Sequence, residues 1–169
     1  MVQSIELVFD RDTEAAVRRI WTDLAAAGIP SQAPASRPHV SLVVAGAIRA
    51  DVDPLLESVS ARMPLPCVIG APLLFGRAKI VLARLVVPTA DLLAVQAAAY
   101  RLCGAHLQPQ PMPHCRPDQW TPHVTLARRV GTATLARAVR IAAKPAQIDG
   151  RFAALRRWDG NTKTEHLLG

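Results

Sequence analysis

The pentapeptide Pro38-His39-Val40-Ser41-Leu42 returns half a chain later as Pro122-His123-Val124-Thr125-Leu126. Each copy alternates apolar and polar residues with the period of a half-buried strand, so the His and the hydroxyl two residues on share one face. A chain of 169 residues that makes this strand twice is constrained to a duplicated design.

The flanking segments bear that out. Ser4 to Phe9 alternate as a strand, and Asp12 or Thr13 can cap a helix striped by Val17, Ile20, Trp21 and Leu24 and stopped at Gly28. A Pro/Ser loop, 29–37, leads to the first His strand, which ends at Gly46. Asp53-Pro54 opens a second helix carrying Leu55, Val59 and Met63, and Cys67 to Phe75 returns as a strand. The second half repeats the order. A strand spans 78–87, and Pro88-Thr89 starts a helix with Leu92, Val95, Ala99 and Leu102. After a proline-rich loop, 106–119, comes the second His strand. Thr132 or Thr134 begins a helix with Leu135, Ala138, Val139 and Ala142, and a last strand covers 148–158.

Both halves therefore read strand, helix, His strand, helix, strand. This predicts an α+β domain spanning 1–169, built from lobe-like repeats of approximately 1–76 and 77–160 about a pseudo-twofold axis, with the His strands facing across a central cleft. Residues 161–169 read as a polar tail over the body or frayed.

Composition limits the setting. No apolar run reaches the length that spans a bilayer, and the N-terminus has no basic segment followed by an apolar one, so no membrane role or export is expected. Cys67, Cys103 and Cys115 lack CxxC spacing and read as thiols in a reducing cytoplasm. The net charge of +7 is carried mostly by arginine, whose fork matches phosphate oxygens and favours polyanionic partners such as RNA.

Two imidazoles closing on one phosphate can divide the work of diester cleavage. A neutral ring accepts the proton of the attacking hydroxyl while a protonated ring supplies the leaving oxygen, and an ordinary histidine reaches both states near neutral pH. Ser41 and Thr125 can donate hydrogen bonds to the non-bridging oxygens as charge develops there. His39 and His123 are the candidate catalytic pair, and which is acid and which base stays open at this level.

The segments from His39 to Gly46 and from Pro122 to Arg128 resemble the two HxTx motifs of the 2H phosphoesterase superfamily, in the 2′-5′ RNA ligase and RNA 2′,3′-cyclic phosphodiesterase branch. His123, Thr125, Leu126, Ala127 and Arg128 reproduce the HxTLAR form frequent in that branch. The resemblance implies a bilobal α+β fold, with antiparallel sheets around a cleft and helices outside. It also implies metal-free action on 2′,3′-cyclic phosphate ends of RNA or nucleotides to give 2′-phosphates, with 2′-5′ ligation or cleavage of 2′-5′ oligonucleotides as the neighbouring activity. No cofactor is expected, and a monomer is favoured. Arg128 is implied as a phosphate ligand, although five regular strand residues beyond His123 would turn it away unless a bulge intervenes. Arg37, Arg77, Lys79 and Arg129 are candidates for a basic rim.

The chain departs from the pattern in two places. Ser41 stands where Thr is usual, and Val44 stands where many relatives of the branch carry an aromatic residue. Aromatic residues make up only 4% of the chain, which leaves few platforms for stacking single-stranded RNA, and Tyr100 and Trp120 read as core or loop anchors. Two other classes compete with the phosphodiesterase. One is an RNA-binding module without catalysis. The other is a zinc hydrolase built on Cys103, His106, His114 and Cys115, whose spacings do not form chelating knuckles.

Overall fold

The computed structural model describes residues 2–109 and 111–168, so Gly169, the last residue of the expected tail, lies outside the described residues. The first half lays down β1 (Gln3–Phe9), α1 (Arg11–Ala26), β2 (His39–Ala45), a short β3 (Ala47–Ile48), a 3-10 segment (Ala50–Leu56) leading into one turn of α2 (Glu57–Ser60), and β4 (Leu65–Phe75). The second half gives β5 (Ile80–Val86), α3 (Ala90–Cys103), a short β6 (Leu107–Gln108) paired with β3, β7 (His123–Val130), α4 (Leu135–Ala142), β8 (Ile148–Asp159) and β9 (Thr164–Leu168).

Helix α1 buries the expected stripe of Val17, Ile20, Trp21 and Leu24, and Gly28 ends the turn at φ +73°. Its cap differs from expectation. Asp10, directly after β1, accepts from the Thr13 backbone N–H at 2.9 Å, so the helix begins earlier. Thr13 is left free to pack against β8, where its Oγ1 accepts from the Arg151 backbone N–H at 3.2 Å over the bare Cα of Gly150. Thr89 caps α3 as read.

Asp53-Pro54 does not open an α-helix. Pro54 lies inside the 3-10 segment, and the Asp53 carboxylate receives both ends of the Arg157 fork at 2.8 Å. The tighter winding buries Val52 and Leu56 and leaves Leu55 exposed.

The main sheet runs β2-β1-β8-β4-β5-β7, every adjacent pair antiparallel. That order reads the same from either end when β1 is exchanged with β5, β2 with β7 and β8 with β4. The third long strand of each half has crossed to the antiparallel strand pair of the other half, so the sequence repeats interlock rather than stand side by side. Strand β8 is the seam. Its first part pairs with β4 and its second part with β9, both on the side away from β1. The polar tail is thus corrected to an ordered strand: once β4 diverges, β8 offers unpaired backbone groups that Thr164–Leu168 satisfy.

One continuous apolar core lies between the sheet and the helices, with Ile5, Leu7 and Phe9 of β1 wholly buried and Phe9 stacked on Phe152 at 4.9 Å. Each such side chain contributes about 1.5–3 kcal/mol by leaving water. Arg84 of β5 is fully buried as well, and its five N–H groups go to the carbonyls of Ile69, Gly70, Ala142, Pro145 and Ala146. It binds the C-terminal end of α4 and the middle of β4 to the strand that lies beside His123.

Candidate active site

The two His strands occupy the two ends of the sheet path, and the sheet curls to bring β2 and β7 towards each other. Each free edge is covered in the same manner. Trp120 donates its indole N–H to the Ser41 carbonyl at 3.0 Å, and Trp21 donates to the Thr125 carbonyl at 3.2 Å. Gln96 and the Met112 backbone N–H take the Leu42 and Val44 carbonyls, while Ser31 bridges to Ala127. Trp120 is an anchor, as read, and what it anchors is a motif strand.

Both motifs carry a bulge at their leucine. The β1–β2 register steps from Glu6↔Ser41 to Ile5↔Val43, and β5–β7 steps from Ala83↔Thr125 to Leu82↔Ala127. Leu42 and Leu126 are the extra residues, and both are fully buried. The bulge reverses the facing of everything beyond it. Val44 comes level with Ser4 on the His39 face, and Arg128, following Ala127, turns back to the His123 face. A second register shift follows, with Arg129 at φ +59°. The bulge that Arg128 required is present.

His39 and His123 are held alike. The Nδ1 of His39 lies 2.8 Å from the Arg37 carbonyl, and that of His123 lies 2.8 Å from the Thr121 carbonyl, in each case two residues upstream. A carbonyl only accepts, so Nδ1 carries hydrogen in both rings and Nε2 is the atom left for chemistry. Ser41 and Thr125 sit on the same faces, paired with Glu6 and Ala83.

The surroundings then diverge. Val8 pairs with His39 as Leu85 pairs with His123, which makes Glu6 the counterpart of Ala83, Arg156 of Leu73 and Trp158 of Phe75. His39 is set among charges: Glu6 Oε1 is 3.5 Å from its Nε2, and Arg156 Nη2 is 3.5 Å from its Nδ1. Glu6 and Arg156, 2% and 4% exposed, are paired at 2.7 Å. Glu165 of β9 bonds Arg156 and lies 3.3 Å from Arg37. Burial opposes charge on Glu165, but those two arginines outweigh it and hold its carboxyl below the ordinary value.

His123 is half-buried against the Phe75 ring at 4.7 Å. Burial pushes it below the ordinary histidine value. The charges of His39, Arg128 and His114 add to this, against the opposing hydrogen bond to Thr121.

The structure thus brings four of the expected residues, His39, Ser41, His123 and Thr125, to the facing motif strands, and puts the exposed Arg128 within electrostatic reach of His123. Arg37 belongs to the His39 surroundings through both its carbonyl and its side chain. The residues of the competing zinc reading do not come together. Cys103 and Cys115 are buried, His106 pairs with Asp51 at 2.8 Å, and no three metal-ligating side chains cluster among the described residues. Sequence reading missed Glu6, Arg156, Glu165 and Phe75. Glu6 and Arg156 alternate with core residues and look like the solvent side of a strand; their proximity to His39 follows only from strand order.

A family model of the 2′-5′ RNA ligase superfamily matches residues 9–162. The chain belongs to that superfamily. Among solved structures, Usb1 of Kluyveromyces marxianus with uridine monophosphate superimposes with a TM-score of 0.57 at 11% identity, over 99% of this chain and 97% of that one. LigT of E. coli complexed with 3′-AMP gives 0.57 at 10% identity, over 98% and 91%. TT0787 of Thermus thermophilus gives 0.57 at 16% identity, over 100% and 96%. At these identities the likeness establishes the shared 2H phosphoesterase fold. No curated protein sequence matches the chain.

Proposed function

We propose that the protein is a phosphodiesterase that opens 2′,3′-cyclic phosphates at RNA ends or on nucleotides, leaving a 2′-phosphate, by proton transfer between two histidines. The observation that carries this reading is the matched pair of imidazoles on facing motif strands, each locked through Nδ1 on a backbone carbonyl so that Nε2 is the nitrogen that can exchange a proton with substrate. Superfamily membership and neighbours solved with uridine monophosphate and 3′-AMP support a nucleotide substrate.

In this mechanism the phosphate sits between the two Nε2 atoms. One ring takes a proton from water as its oxygen bonds to phosphorus. The other protonates O3′ as the P–O3′ bond breaks. Ser41 and Thr125 hydroxyls and the Arg128 guanidinium meet the non-bridging oxygens. The proton transfers use these side chains alone, so turnover is expected to resist EDTA. A 5′-hydroxyl in place of water would give a 2′-5′ linkage by the same departure of O3′, which is how ligation would arise from this site.

The test is hydrolysis of the four nucleoside 2′,3′-cyclic monophosphates in EDTA by wild type, His39→Ala and His123→Ala. The expected result is a 2′-phosphate product, with rates down at least about 100-fold in each variant. Full rate in either variant refutes the two-histidine mechanism. If the wild type turns over neither these nor RNA halves with 2′,3′-cyclic and 5′-hydroxyl ends, yet binds RNA in a salt-sensitive manner, the protein is a binding module.

A further inference from the structure

The charged side chains beside His39 form one alternating chain. Arg18 pairs with Glu14 at 2.9 Å, Glu14 with Arg37 at 3.1 Å, and Arg37 with Glu165 at 3.3 Å. Glu165 pairs with Arg156, Arg156 with Glu6 at 2.7 Å, and Glu6 reaches His39 Nε2 at 3.5 Å. Cation and anion alternate from the surface inward, and the last member before the histidine is a buried carboxylate. A proton on His39 Nε2 continues the alternation, and without it Glu6 faces a lone pair. The position equivalent to Glu6 beside His123 is Ala83, and no carboxylate pairs with His123 among the described residues.

We propose that Glu6 is the positioning residue that keeps His39 in its proton-donating form, so that His39 is the general acid and His123 the general base. This rests on the phosphodiesterase reading above and assigns the roles within it. Water loses its proton to His123 Nε2 as its oxygen bonds to phosphorus. The P–O3′ electron pair leaves on O3′, which takes the proton of His39 Nε2, and both rings reset by exchange with solvent. The groups turned on His39 are Glu6 from β1, Arg156 from β8, Glu165 from β9, Arg37 from the preceding loop and His123 across the cleft. Of these, Glu6 alone contacts the reacting nitrogen. Ser4 donates to the same Glu6 oxygen, and Arg156 holds the other, which fixes the carboxylate.

The experiment compares wild type with Glu6→Gln, an exchange that keeps shape and removes charge. The pH profile of kcat/KM is measured on cytidine 2′,3′-cyclic phosphate, and the ring ¹⁵N signals of His39 and His123 are followed in the protein without substrate. In Glu6→Gln the alkaline limb moves to lower pH by about one unit while the acidic limb stays, and the His39 ring loses its proton at correspondingly lower pH. An unmoved alkaline limb, or movement of the acidic limb alone, overturns the assignment. The wild-type signals decide it should the variant not fold: on raising pH, His123 must lose its proton before His39, and the reverse order overturns it. A wild type without turnover fails the phosphodiesterase reading, and the ring signals still judge Glu6 separately.

Discussion

Arg84→Met probes how the site-bearing strand is held. The guanidinium is fully buried and spends all five N–H groups on five carbonyls from β4 and from the end of α4 and the turn after it. Hydrogen bonds to a charged group are worth about 1.5–3 kcal/mol each, so a plain addition would remove roughly 8–15 kcal/mol, all the stability such a domain has. These bonds share one cation, the carbonyls can partly rehydrate and no charge is left behind, so the relevant scale is that of a few buried carbonyls without a partner, about 3–5 kcal/mol. For a chain of this size that lowers Tm by roughly 6–20 °C. Arg84→Lys has three donors for five carbonyls and leaves at least two without a partner. It should fall between Met and wild type, at roughly 2–3 kcal/mol. Urea unfolding followed by circular dichroism measures all three proteins, with equal m-values licensing the comparison. Arg84→Met within about 1 kcal/mol of wild type would show that the five carbonyls do not depend on the guanidinium, and the reasoning would fail.

Two further outcomes follow from particular contacts. A Cβ on Gly150 would overlap the Thr13 side chain, so Gly150→Ala must push α1 off β8 at a cost of about 1–3 kcal/mol. Thr13→Ala in the same chain should recover much of that loss, and strictly additive effects in the double-mutant cycle would refute the contact. Because burial lowers His123 from its ordinary 6.5, the folded state binds fewer protons there than the unfolded one. Its stabilising contribution is complete above pH 6.5 and is lost as pH falls below it; with His123 as the proposed base, the acidic limb of kcat/KM is expected below the same value. Comparing urea midpoints of wild type and His123→Phe from pH 7.5 to 5 checks the sign. Wild type should lose stability faster on acidification, and parallel curves would contradict it.

The duplicated halves, the helix stripes of α1 and α3 and the two motif strands were legible because each is a local pattern: an apolar period, a capping Thr89, a Gly28 stop. The exchange of β4 and β8 between halves was not, since strand order is a long-range choice that leaves no mark on the period of either strand. The same holds for β9. Thr164 to Leu168 reads as polar, with four of its five residues exposed, and it becomes a strand because β8 presents an unpaired edge there. Asp53-Pro54 misled for a local reason. Asp-Pro is a good helix start, but here Asp53 was already committed to Arg157.

Arg128 shows where local and long-range information meet. Counting along β7 alone sends it to the wrong face, and only the bulge at Leu126 returns it. The counterpart bulge at Leu42 does the same for Val44, so the two motifs share backbone geometry as well as residues. Shared geometry cannot distinguish an acid from a base, however. Both Nδ1 atoms rest on carbonyls, and both rings carry a hydroxyl neighbour on the same strand face. What differs is carried by strands that the motifs do not include: Glu6 against Ala83 on the adjacent strand, and Arg156 against Leu73 one strand further. The proposed reaction asks the two histidines for opposite proton transfers, and a duplicated scaffold makes two like rings. The interlocked sheet lets their surroundings differ by placing beside each motif a strand from the first half and one from the second. The charge placed beside His39 and the apolar ring placed beside His123 therefore vary independently of the repeated motif itself.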